Sequence, residues 1–132
     1  MKIGMPLSAV VAALVFVVTP SPLAAQSKLL AGLKRLDPRT RLEQVCDLEA
    51  MTRIRKETQH RPDRAKSNVS SEPKHAGHVL TAKGGAFRSK GKWYALSFVC
   101  EGTPDHMKAI KLKYQVGQVI PQSKWQEYGL WR

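Results

Sequence analysis

Lys92-Trp93-Tyr94-Ala95-Leu96-Ser97-Phe98-Val99-Cys100 is the stretch that decides the fold. It reads with a period of two, so Tyr94, Leu96, Phe98 and Cys100 point to one face of a strand and Trp93, Ala95, Ser97 and Val99 to the other. Both sets are largely apolar, which predicts an interior strand of a small sheet with a helix over one face. Upstream, Asp37-Pro38 is a helix start: the carboxylate can accept from free backbone N–H groups, and proline at the first helical position loses no hydrogen bond. The helix is expected to run to about Lys56, with Leu42, Val45, Cys46 and Ala50 as a core stripe that Met51 and Ile54 widen. Glu49 lies in the same stripe four residues before Arg53, and this spacing predicts an ion pair at the edge of the core rather than a catalytic acid.

Further strands follow from the same alternation. Val79 to Lys83 reads as a weaker strand that joins the first through Gly84-Gly85 and a basic run. Ile110, Leu112, Tyr114 and Val116 alternate with Lys111, Lys113 and Gln115, giving a third strand with one dry and one cationic face. Glu101 to Asp105 is the turn between the last two, and the polar segment Thr58 to Lys74 reads as a long surface loop. At the end, Ser123 and Gln126 stand at capping-box spacing, so Trp125, Tyr128 and Leu130 or Trp131 are expected to pack as a final helical turn. The expected fold is α+β: one main helix on a three-stranded antiparallel meander, with a short C-terminal helical turn and one disulfide.

Length and composition set the frame for this fold. The chain has 132 residues, enough for one modest domain. Met1 and Lys2, the apolar run Leu7 to Val18, the break Thr19-Pro20-Ser21-Pro22 and Leu23-Ala24-Ala25 together read as a cleavable export signal over residues 1–25. Residues 26–132 are then a single secreted domain, expected in the periplasm. A transmembrane span is disfavoured, because two prolines interrupt the run before it reaches the ~20 apolar residues a bilayer requires. Export also gives meaning to Cys46 and Cys100: in an oxidising compartment a lone thiol pair becomes a structural disulfide, and neither C-x-x-C spacing nor a ligand set points to redox or metal chemistry.

Catalytic templates do not match. G-x-S-x-G, H-E-x-x-H, glycine-rich phosphate loops and paired carboxylates on one element are all missing from the sequence, and Asp47 and Glu49, two apart on a helix, face different directions. His75-x-x-His78 lacks a third ligand, so no metal and no cofactor are assigned. The rival expectation, an enzyme acting on envelope glycan or lipid, would rely on Glu49 or Glu101 with a histidine.

Charge is the stronger signal, with 22 Lys plus Arg against 10 Asp plus Glu and a formal net charge of +12. From Pro73 to Lys92 there are Lys74, Lys83, Arg88, Lys90 and Lys92 without one acid, interleaved with Gly84, Gly85, Phe87 and Gly91. This pattern predicts a flexible basic finger, with Lys83, Arg88, Lys90 and Lys92 as its partner-binding residues. Arg53 to Lys66 and the stripe Lys108, Lys111 and Lys113 extend the field, which concentrates anionic partners. Nucleic acid is not the expected partner, since export separates the protein from the genome and no recognition helix or base-stacking motif is present. The expected partner is an anionic envelope component, or the carboxylate-lined cleft of a peptidoglycan-cleaving enzyme that the finger would occlude. No oligomeric state is assigned.

One resemblance adds to this reading. Leu36-Asp37-Pro38-Arg39-Thr40-Arg41-Leu42-Glu43-Gln44-Val45-Cys46-Asp47-Leu48-Glu49-Ala50-Met51 is similar to a block of small exported alphaproteobacterial proteins described as domain of unknown function 930. Gly85-Ala86-Phe87-Arg88-Ser89, Trp93-Tyr94-Ala95-Leu96-Ser97-Phe98 with Cys100, and Ile120-Pro121 with Trp125 and Leu130-Trp131 resemble its later blocks, covering residues 36–131. The resemblance implies secretion, a shared cysteine pair, a role in the cell envelope and, for some members, restraint of peptidoglycan hydrolases. It carries no catalytic residue onto this chain.

Overall fold

The computed structural model describes residues 2–6, 8–19 and 21–132. Met1, Leu7 and Pro20 of the expected leader lie outside the described residues. Residues 2–6 and 8–19 are exposed and form no helix or strand. Helix α1 (Pro22–Arg35) runs through the Ala25–Gln26 bond expected to be cleaved, and among its residues Leu33 is buried. No helix of the described residues is long and apolar enough to cross a membrane.

Helix α2 (Pro38–Glu57) forms where Asp37-Pro38 predicts it. The Asp37 carboxylate accepts from the backbone N–H groups of Arg39 and Thr40, both at 3.1 Å, and from the Thr40 hydroxyl at 2.6 Å. The Thr40 bonds hold the Asp37 carboxyl below the usual aspartate range. Leu42, Val45, Cys46, Ala50 and Ile54 are buried as the stripe requires. Arg53, however, pairs with Glu57 one turn onward instead of with Glu49, which leaves Glu49 half-buried without an ion pair among the described residues.

The sheet is larger than a three-stranded meander. Among the described residues it has five strands, β1 (Pro62–Lys66), β2 (Lys74–Ala76), β3 (Val79–Ser89), β4 (Lys92–Gly102) and β5 (Ala109–Val119), all antiparallel in the order β1-β3-β4-β5, with β2 also on β3. The segment expected to be a long loop therefore contributes β1 and the start of β2, which pair with two ends of the same long strand. The expected turn also shifts: Glu101 and Gly102 belong to β4, and the connection to β5 begins at Thr103.

Strand β3 does not break at Gly84-Gly85. It continues through a bulge between Ala82 and Gly85 and ends in a two-residue turn, Lys90-Gly91, whose φ values of 50° and 74° give the left-handed pair that a tight hairpin needs. The expected flexible finger is thus a regular β3–β4 hairpin. The glycines serve close approach: the loop after β1 crosses here, with the N–H groups of Val69 and Ser70 both donating to the Gly84 carbonyl at 2.9 Å. A Cβ on Gly84 would collide with Ser70 and Ser71.

Each face of the sheet has its own cover. On one face Leu80, Ala82, Phe87, Leu96, Phe98, Cys100 and Leu112 pack with the α2 stripe. Cys46 and Cys100 are joined in a disulfide there, with Cα atoms 6.0 Å apart. On the other face Trp93 is fully buried with Ala86 and Leu130, flanked by Val69, Ile120, Trp125 and Tyr128. A 3-10 turn (Gln122–Lys124) and the four-residue helix α3 (Trp125–Tyr128) carry the chain back over Trp93, whose indole N–H donates to the Trp131 carbonyl at 2.7 Å. The final helical turn is present, but Ser123 and Gln126 make no capping box: neither helical start has a side-chain cap.

Candidate functional site

The C-terminal segment covers one end of the outer face and leaves the rest open. Strand pairing sets what is displayed there. Lys74 on β2, Thr81 on β3, Val99 on β4 and Lys113 on β5 form one cross-strand row. Ser97 with Gln115 and Glu101 with Lys111 form the rows on either side. Because side chains alternate along a strand, these residues share a face opposite Leu80, Phe98, Cys100 and Leu112, which pack under α2. Lys111 and Lys113 are about 7 Å apart along β5, and Lys74 stands roughly 14 Å from Lys113 across three strand spacings.

Lys83, exposed in the β3 bulge, joins two depressions on this face. One is a shallow trough of about 310 Å³ bordered by Thr81, Lys83, Ser97, Val99, Lys113 and Gln115. The other, also about 310 Å³, runs between the sheet and the C-terminal segment: its apolar floor is Gly85, Ala95, Val119 and Ile120, and Ser70, Lys83, Lys124 and Tyr128 stand around it. An apolar floor with a few convergent polar groups is the usual form of a ligand groove. Among the described residues Lys83, Lys111 and Lys113 make no ion pair, and Glu101 is the one acid on the rows named above.

The four expected partner-binding residues do not form one finger. Lys83 lies on the open face. Lys90 and Lys92 sit at the hairpin tip, both exposed, beside two separate depressions, one of about 470 Å³ with Arg132 and one of about 240 Å³ with Tyr94. Seven residues of strand separate Lys83 from Lys90, roughly 23 Å. Arg88 is engaged within the fold: its Nε and Nη2 donate to both carboxylate oxygens of Asp63 at 2.9 and 2.8 Å, and its guanidinium lies 5.9 Å from the Trp93 ring and 5.8 Å from the Trp131 ring. The bidentate bond holds the Asp63 carboxyl below its ordinary range. Arg88 therefore helps to seat the C-terminal segment, as does Lys66, whose ammonium is 5.3 Å from the Trp131 ring.

The histidines separate as well. His75 Nε2 meets the Glu43 carboxylate at 2.9 Å on the α2 side, whereas His78 Nδ1 meets His106 Nε2 at 3.1 Å. His106 is buried in a left-handed conformation, φ 59°, and its Nδ1–H donates to the Pro38 carbonyl at 2.6 Å. Since a carbonyl only accepts, His106 Nδ1 carries the proton of that bond, which leaves Nε2 facing His78 Nδ1. Among the described residues no three His, Cys, Asp or Glu side chains group closely enough to hold a metal ion.

Sequence reasoning missed one buried acid. Asp47 is 5% exposed, its Oδ1 has no hydrogen-bond partner, and burial followed by the Glu43 charge pushes its carboxyl up to about 8. Ser67, on the loop after β1, supplies the nearby hydroxyl and N–H that partly offset this. The available signal was position, since Asp47 follows Cys46 directly on the stripe's edge and lies three residues before Ala50. It borders neither depression of the open face.

Comparison with curated proteins and with solved structures returns no match. A family model described as Domain of Unknown Function (DUF930) matches residues 33–130, a span that begins at buried Leu33 and ends at buried Leu130, enclosing α2, the whole sheet and the segment that closes over Trp93. The chain belongs to the Domain of Unknown Function (DUF930) family.

Proposed function

We propose that this is an exported periplasmic binding protein, not an enzyme, whose open sheet face engages an anionic component of the cell envelope. The observation that carries the reading is the convergence of Lys74, Lys83, Lys111 and Lys113 on one face with Glu101 as its acid, over a trough and a groove that meet at Lys83. A field of one sign over a concave surface raises the local concentration of oppositely charged partners and speeds their encounter. The disulfide suits an oxidising compartment, and the leader-like N-terminus supplies the route there. In its sharpest form the partner is a peptidoglycan-cleaving enzyme, whose catalytic carboxylates offer the complementary charge. Arg88 is replaced in this account by Lys83 and Lys113, because Asp63 already neutralises it; Lys90 and Lys92 provide a second cationic point at the hairpin tip.

Zymography of the protein purified from the periplasm tests the proposal. It should produce no clearing of peptidoglycan alone and should reduce clearing by an added acidic hydrolase, with Lys83→Glu/Lys113→Glu losing that effect. Clearing by the protein alone would favour the enzyme class instead.

A further inference from the structure

Strand β5 closes the sheet order on one side, so among the described residues no strand neighbours its outer backbone groups. Which groups point outward follows from the hairpin. Its two-residue loop makes Ser89 and Lys92 the closing hydrogen-bonded pair, so even-numbered β4 residues bond to β3 and odd-numbered ones to β5. The Gly102 N–H to the His78 carbonyl, 2.8 Å, and the Ile120 N–H to the Trp93 carbonyl, 2.7 Å, agree with this alternation. Lys111, Lys113 and Gln115, paired with Glu101, Val99 and Ser97, therefore bond inward, while Leu112, Tyr114 and Val116 present N–H and C=O to the outside. The guanidinium of Arg53 occupies one of these groups, donating to the Leu112 carbonyl at 3.3 Å. Register shifts between Glu101 and Gly102 and between Tyr94 and Leu96 bound the regular part of this edge, leaving Lys111 to Val116, about 20 Å of straight strand.

We infer that this edge accepts an extended acidic peptide segment as an added antiparallel or parallel strand. Three N–H groups and two carbonyls wait there for a partner backbone, and the side chains settle its composition. Residues of an added strand that share the open face would lie beside Lys111 and Lys113, where acids pair favourably and bases are repelled. The intervening residues would lie beside Tyr114 and Val116, both half-buried and packed against the core under α2, where apolar side chains fit. The recognised pattern is thus acid and apolar in alternation. A second copy of this chain is disfavoured by the same charges, since lysines on facing edges would oppose one another; edge lysines commonly prevent such self-pairing. This inference rests on the proposed function and names the chemistry of its partner, an acidic strand or loop of a protein.

The test is amide hydrogen exchange of the oxidised full chain with three synthetic peptides: Glu and Val in strict alternation, the same six residues in two blocks, and Lys and Val in alternation. The alternating acidic peptide should slow exchange at Leu112, Tyr114 and Val116 at least tenfold, with Lys111→Glu/Lys113→Glu abolishing the effect. Val116→Pro, which removes an outward N–H and trims a half-buried side chain, should weaken it while leaving the slow exchange of the inward Lys111 and Lys113 amides unchanged. Equal protection by the block or lysine peptide, or protection in concentrated protein alone with formation of a dimer, would overturn the inference. Binding of the acidic peptide without protection at those three amides would also overturn it, while leaving an anion-binding open face intact.

Discussion

Replacing Asp47 by asparagine should make the protein more stable, by an amount set by pH. The wild-type carboxyl is buried, its Oδ1 lacks a partner, and it holds its proton up to a pH of about 8 against 3.8 for a solvated aspartate. Between those two values the unfolded chain loses the proton and the folded chain keeps it. Stability conferred by the native state therefore falls as pH rises from 3.8 to about 8 and levels off beyond. At pH 7 the accumulated loss is on the order of 4 kcal/mol, taking ~1.4 kcal/mol for each unit above 3.8. The substituted carboxamide would be an uncharged near-isostere at every pH, so Asp47→Asn and wild type should nearly coincide at pH 4 and diverge toward neutrality. Other titrating groups are shared by both proteins and cancel in the difference. Guanidinium unfolding followed by fluorescence of the buried Trp93, at pH 4, 5.5, 7 and 8.5, measures the gap. A gap that is constant with pH, or one in which wild type gains on the variant as pH rises, would contradict a buried Asp47 that keeps its proton in the folded chain.

Other perturbations separate structural from binding residues. Reducing the Cys46–Cys100 bridge, which closes a 54-residue separation, should cost roughly 4 kcal/mol in unfolding measurements by the chain-entropy model. Leu130→Ala should cost about 2–3 kcal/mol, because it uncovers Trp93 on the outer face, and should shift the Trp93 emission maximum to the red. Gly84→Ala should lower the melting temperature through its collision with Ser70 and Ser71, and should speed exchange of the Val69 and Ser70 amides that bond to the Gly84 carbonyl. Binding to an anionic partner should weaken steeply between 0.1 and 0.5 M salt, as the Debye length shrinks from ~10 Å to ~4 Å.

How much of this molecule could be read from its residues depends on how local the cause is. Helix α2 was legible because its cap, first-turn proline and core stripe lie within one continuous segment. Strand β4 was legible because both of its faces are apolar, and its interior position follows from that. Strands β1 and β2 were not, since Pro62-Asp63-Arg64-Ala65-Lys66 and Lys74-His75-Ala76 are short and polar and exist through pairing with β3. Gly84-Gly85 was misleading for a physical reason: glycine marks turns, but it also marks places where another backbone must come close, and only the fold reveals the crossing loop. For the candidate site, the charge pattern singled out Lys83 and Arg88 alike, and the ion pair that sets Arg88 apart was not legible because Asp63 is 25 residues away. The open face needed the register of four strands before Lys74, Lys111 and Lys113 could be seen beside Lys83.

Inhibition of an acidic peptidoglycan hydrolase, measured as the concentration of this protein that halves the rate of cell-wall clearing, addresses the lysine face most directly when three forms are compared: wild type, Lys83→Glu/Lys113→Glu and Arg88→Ala. That concentration should rise at least tenfold for the lysine reversal and less than threefold for Arg88→Ala. Equal inhibition by wild type and the lysine reversal, or loss of inhibition in Arg88→Ala alone, would contradict binding through the lysine face.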